Sequence, residues 1–136
     1  MFTMNKKLKE LSKHGKDIRV SIVGAGKMGK GLINQMSRID GMKPSLVINR
    51  HIEKAVDALL SSGVSRDDIV EADTLKDLNF YLEKGKYVVS ESTELAAKAN
   101  IIDAVVDATG IPEVGSNLAL SAIENKKHII MLNVEA

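Results

Sequence analysis

Gly24-Ala25-Gly26-Lys27-Met28-Gly29 is the stretch that most restricts what this chain can fold into. A G-x-G-x-x-G string by itself is weak; its context here is specific. It follows Ile18-Arg19-Val20-Ser21-Ile22-Val23, a β-branched run that reads as a strand. It opens Lys27 to Ile39, where Met28, Leu32, Ile33 and Met36 recur at close to helical spacing, with Gly41 as the stop. Strand, glycine loop and amphipathic helix in that order form a turn that receives an anion. Gly24 permits the tight reversal, Gly26 leaves the backbone open to a pyrophosphate, and Gly29 lets the helix lie close on the sheet. Free N–H groups at the helix start, around Lys27 and Met28, face the anion, and the helix dipole favours it. No Gly-Lys-Ser/Thr follows, so the loop is not a P-loop.

Downstream, short apolar runs continue to alternate with helical stretches. Leu46-Val47-Ile48, within Lys43 to Asn49, is a second strand, and Glu53 to Ser62 a helix with Ala55, Val56, Leu59 and Leu60 on one side. Asp68 to Ala72 is a short third strand. Thr74-Leu75-Lys76-Asp77 is a Thr-x-x-acid cap opening a helix to about Lys84. Tyr87 to Ser90 is extended, and the Ala-rich Thr93 to Ala99 is predicted helical. Ala104 to Ala108 is a strand, Pro112 suits the first turn of a helix running to Asn125, and His128 to Leu132 is the last strand. The alternation predicts an α/β fold: a Rossmann-like parallel sheet with helices on both faces.

Composition sets the class around that core. A length of 136 residues suits one domain, and 19 Lys+Arg against 18 Asp+Glu leave a net charge of +1. That balance argues against nucleic acid held by bulk charge. No run reaches the roughly 18 apolar residues of a membrane span. Cysteine is absent, so there is neither a disulfide nor a thiol nucleophile; with no signal-peptide pattern, the expectation is a cytoplasmic protein. The three histidines, at 14, 51 and 128, are scattered, and neither a Ser-His-acid set nor a metal cluster is evident. Residues 1–16 form a basic helix or tail, with Met4, Leu8 and Leu11 on one face and Lys6, Lys7, Lys9, Lys13 and Lys16 in water. Residues 17–136 form the dinucleotide-binding domain, expected to be the N-terminal part of a longer enzyme whose further domain holds a small-molecule substrate. Cut sheet edges make a homo-oligomer the expectation in solution.

A strand selective for NAD carries Asp or Glu about 20 residues past the loop, on the ribose 2′-hydroxyl. That position holds Asn49 and then Arg50. Arg50 can pair with a 2′-phosphate or stack on adenine, Asn49 can donate without repelling the phosphate, and His51 is a further donor or simply a helix-start residue. The expected cofactor is therefore NADP(H), with NAD(H) the alternative. At the other end, Ala108, Thr109 and Gly110 join a strand to a helix, leave room for a ribose and ring, and again offer N–H groups, and Thr109 can donate to a phosphate or ribose. Asn133 follows the last strand, placed to meet the nicotinamide ribose or carboxamide, with Glu135 two residues on.

Val20 to Gly31, Ile48-Asn49-Arg50, Val105 to Gly110 and Ile129 to Ala136 together resemble the NAD(P)-binding domain of homoserine dehydrogenase-like oxidoreductases, in the branch whose longer members carry a C-terminal SAF-type domain. The resemblance implies NAD(P)-dependent interconversion of a small aldehyde or ketone and an alcohol. It places the catalytic Lys and acidic residues in a downstream domain, so no catalytic residue carries over. Homoserine dehydrogenases usually read Asn-Lys after the last strand, whereas Val134 follows Asn133 here. The Asn-Lys-Glu of 1-deoxy-xylulose 5-phosphate reductoisomerase is matched at Asn133 and Glu135 but not at Val134, and a reductoisomerase-like activity is an enzymatic alternative. A module that senses NAD(P) without catalysis is the non-enzymatic one.

Overall fold

The structure is a computed structural model that describes residues 6–7 and 17–132. Lys6 and Lys7 are helical and exposed; the rest of the basic segment expected at 1–16 lies outside the described residues. The elements in chain order are β1 (Ile18–Val23), α1 (Lys27–Met36), β2 (Met42–Ile48), α2 (Ile52–Ser61), β3 (Ile69–Glu71), α3 (Leu75–Glu83), β4 (Tyr87–Ser90), β5 (Ala104–Asp107), α4 (Pro112–Glu124) and β6 (His128–Met131).

Every strand pairing is parallel, and the order across the sheet is β3-β4-β2-β1-β5-β6. The chain runs outward from β1 on one side, then crosses back so that β5 lies against the other side of β1. That crossing makes a switch point between β1 and β5, where open α/β sheets bind ligands. The six-strand dinucleotide arrangement has order 3-2-1-4-5-6. Here β4 takes the place beside β2, and the three-residue β3 is pushed to the edge.

Side-chain alternation sorts the core into two layers. Val20, Ile22, Val47, Val89 and Val106 face α1 and α2, where Ile33, Met36, Ala55, Ala58 and Leu59 meet them. Val23, Leu46, Ile48, Val88 and Val105 face the other way, against Leu78 and Leu82 of α3 and Leu118 and Ala122 of α4. Each fully buried Val, Leu or Ile contributes about 1.5–3 kcal/mol by removal from water. Pro44 lies inside β2 without breaking the sheet because the register with β1 slips between Arg19 and Ser21, a bulge where the missing N–H costs nothing. No helix among the described residues is long and apolar enough to cross a membrane.

Two segments depart from expectation. α1 ends at Met36, three residues short of Ile39, and Ser37 turns its hydroxyl back to the Ile33 carbonyl. Residues 93–99 form only a single 3₁₀ turn, Thr93–Leu95. There, Ser21 from the centre of β1 donates to the Ala96 carbonyl at 2.8 Å in the buried interior. Ala96, Ala97 and Ala99 are fully covered, so the segment is held by the sheet beneath it rather than by its own helical bonds. The cap at Thr74 forms as read: its hydroxyl accepts from the Asp77 N–H at 3.2 Å.

Replacing Ser21 with alanine strands the buried Ala96 carbonyl. The expected loss is about 1–3 kcal/mol of unfolding free energy, measured as a lower urea midpoint with unchanged slope.

Candidate functional site: a crevice at the switch point

Parallel pairing brings the carboxyl ends of β1, β2, β4 and β5 to one edge of the sheet. The loops leaving them line a crevice of about 320 Å³, to which Gly24, Gly26, Asn49, Arg50, Ala108 and Thr109 all contribute. Six residues singled out from sequence therefore meet at one place, although they come from three separate stretches.

The glycines divide the work. Gly24 has φ +106°, and a Cβ there would stand 2.9 Å from the Ala108 carbonyl carbon and oxygen. Its bareness lets the glycine loop touch the loop after β5. A Cβ on Gly29 would overlap the Gly24 carbonyl oxygen outright, so Gly29 is a buried packing glycine beneath the loop. Gly26 meets nothing within 4 Å and is exposed, with φ −75°. The space above it is the space an anion needs.

Gly26 is also the N-cap of α1, and no side chain caps the helix. The first intrahelical bond runs from the Lys30 N–H to the Gly26 carbonyl, leaving the N–H groups of Lys27, Met28 and Gly29 without helical acceptors. Lys27 and Met28 are exposed at this opening. This is the arrangement that receives phosphate.

Asn49 does something the sequence did not announce. Its side-chain oxygen accepts from the Ala25 N–H at 2.9 Å, and its amide nitrogen donates to the His51 carbonyl at 2.9 Å. It therefore clasps the glycine loop to the end of β2, and one amide hydrogen is left to turn outward. Arg50 is exposed on the rim and has no ion-pair partner among the described residues. Lys54 is exposed on the first turn of α2 and adds a second cation beyond Arg50 that sequence reading did not weigh. His51 begins α2 as an uncapping N-cap, its ring 3.9 Å from the Glu53 carboxylate, with both side chains in solvent.

On the opposite wall, Thr109 differs from the donor expected. Its hydroxyl donates to Asp107 at 2.7 Å, and its N–H donates to the same carboxylate oxygen at 2.9 Å. Both donors of Thr109 are thus taken, and the residue offers a ligand its surface and an acceptor. Gly110 has φ +69° and sits exposed beyond the crevice lining. Asn133 and Glu135 lie outside the described residues.

Sequence reading missed Thr93, Ile111 and Val114, which also line the crevice. Thr93 arrives because β4, not β3, lies beside β2. Its signal was the polar Glu91-Ser92-Thr93 stretch directly after a strand. Ile111 is 47% exposed at the start of α4, an apolar side chain left uncovered at the mouth.

Gly29 and Gly26 should respond differently to one methyl group. Gly29→Ala should destabilise the chain by several kcal/mol, about the scale of severe overpacking. Gly26→Ala should leave the ligand-free thermal midpoint within about 1 kcal/mol of stability, since its backbone is already ordinary and its surroundings open. Parallel thermal melts of the two variants test this.

Comparison with known proteins agrees with this architecture. An NAD-binding protein from Listeria innocua superposes with TM-score 0.57 at 26% identity, over 85% of this chain and 27% of that one. A candidate oxidoreductase from Klebsiella pneumoniae superposes with TM-score 0.55 at 19% identity, over 84% of this chain and 25% of its own, a likeness of fold. The chain thus spans about a quarter of the length of the structures it matches. No curated protein sequence matches it. The sequence profile of shikimate / quinate 5-dehydrogenases matches residues 6–105, which take in the glycine loop, Asn49 and Arg50 and stop two residues before Asp107. With more than half its length inside that profile, and with the sheet and glycine loop built as described, the chain belongs to the shikimate / quinate 5-dehydrogenase family.

Proposed function

We propose that this chain is the cofactor-binding domain of an NAD(P)-dependent oxidoreductase that interconverts an alcohol and a small aldehyde or ketone. The observation that carries the reading is the open space over Gly26 in front of the uncapped start of α1, at the switch point between β1 and β5. A pyrophosphate there meets free N–H groups and the positive end of the helix. The adenosine half then extends toward the end of β2, and the nicotinamide half toward Ala108 and Thr109. The family profile and the NAD-binding protein from Listeria innocua support a nicotinamide cofactor.

NADP(H) is the cofactor we favour. The end of β2 offers Asn49, Arg50 and His51 and no carboxylate, and the next one along the chain, Glu53, stands beside His51. A carboxylate would accept from the 2′-hydroxyl and repel a 2′-phosphate; an unpaired guanidinium does the reverse. The nicotinamide supplies hydride chemistry, and the chain supplies position and electrostatics. Substrate and its catalytic groups belong to a further part of the protein. Family membership supports a hydroxylated ring acid of the shikimate type as a substrate class beside a homoserine-type alcohol. The Asn133-Val134 step, in place of Asn-Lys, speaks against true homoserine oxidation.

Calorimetric titration of the chain with NADPH and NADH tests the reading, with tighter NADPH binding expected. Arg50→Ala should weaken NADPH by about 1.5–3 kcal/mol, the worth of a charge-assisted hydrogen bond, and leave NADH nearly unchanged. Equal losses would remove Arg50 as the reader of the 2′-phosphate, and no binding of either nucleotide would overturn the assignment.

A further inference from the structure

We propose that Asp107 is the positioning residue of the nicotinamide side of the crevice, a role that rests on the dinucleotide reading above. Among the described residues it is the only charged side chain in the buried set, at 2% exposure. A carboxylate is costly to bury unless hydrogen bonds satisfy it. One oxygen of Asp107 accepts twice from a single residue, Thr109, at 2.9 Å from its N–H and 2.7 Å from its hydroxyl. The Thr109 hydroxyl in turn accepts from the Ile111 N–H at 3.1 Å. The chain of bonds runs from the end of β5 through the loop to the residue that opens α4.

The second oxygen has room made for it. A Cβ at Gly115 would lie 2.6 Å from that oxygen, so glycine at this point of α4 is what lets the helix close over the carboxylate. Gly115 is the fourth residue of α4, so the carboxylate lies near the start of the helix, where the dipole favours an anion. A fixed negative charge beside a site for phosphates works against binding on electrostatic grounds alone. What Asp107 contributes in return is geometry. It holds Ala108 and Thr109 at the distance where their backbone meets Gly24, and so sets the width of the crevice between the two loops.

The test compares a dinucleotide with its own adenosine half. NADPH is paired with 2′,5′-ADP, or NADH with ADP if NADH is the one bound, each titrated into the 136-residue chain and its variants. Asp107→Ala should weaken the dinucleotide at least tenfold and the adenosine half less than twofold. Asp107→Asn should stay within threefold of wild type for both, because the amide oxygen still accepts from Thr109. Thr109→Val, which exchanges the hydroxyl for a methyl group and so ends its bond to Asp107, should lose threefold or more for the dinucleotide alone; it carries the test should Asp107→Ala not fold. Equal losses for dinucleotide and adenosine half would overturn the proposal. So would an Asn variant as weak as the Ala variant, or a wild-type dinucleotide affinity in Thr109→Val and a folded Asp107→Ala. Binding of neither dinucleotide by the wild-type chain would overturn the cofactor assignment, and this role with it.

Discussion

Three backbones meet at one point with no side chains between them. The Gly24 carbonyl lies under Gly29 of α1, and the Gly24 α-carbon lies against the Ala108–Thr109 peptide. Packing interiors are close to crystalline in density, so one methyl group at such a point forces something to move. The angle at which α1 leaves the sheet follows from that contact. So does the aim of its free N–H groups, and so does the separation of the two loops that form the crevice. The hydrophobic layers stabilise the domain, but the glycine junction decides the shape of the edge where a ligand would sit.

Around that junction the polar groups divide between holding and offering. Asn49 and Thr109 spend most of their hydrogen-bonding capacity on the protein. Arg50, Lys27 and the opening of α1 remain exposed. A site built this way presents charge and backbone donors on a frame in which the Asn49 and Thr109 side chains are largely engaged. Fixed donors of that kind bind an anion without first rearranging.

Much of the architecture could be read from the chain. β1 begins at Ile18 and ends at Val23 as its β-branched run implies, and Thr74 caps α3 as its spacing to Asp77 implies. These are local signals, resolved within a few residues. What escaped was non-local. The helix expected over Thr93 to Ala99 gives way to a bond from Ser21, 75 residues away. The place of β4 beside β2, which delivers Thr93 to the crevice, depends on pairing between distant runs of equal apolarity. Asn49 was legible as a residue at the right place, but its clasp on Ala25 depends on how the loop curls back. Asp107 stood in plain view inside Val105-Val106-Asp107-Ala108-Thr109-Gly110, yet only the covering helix shows that its carboxylate is buried.

The bond from the Arg19 N–H to the Asp103 carboxylate joins residues 84 apart, and the β1–β5 ladder begins beside it. Pairing β1 with β5 closes a much longer loop than pairing β1 with β2, and the entropic cost of closure rises slowly with loop length. The crevice lies on this seam, and its two walls are distant in sequence: the second is supplied only by residues after β5. A chain that stops before β5 would carry the glycine sequence without the wall that Gly24 rests against, so nucleotide capture would report that both walls are in place.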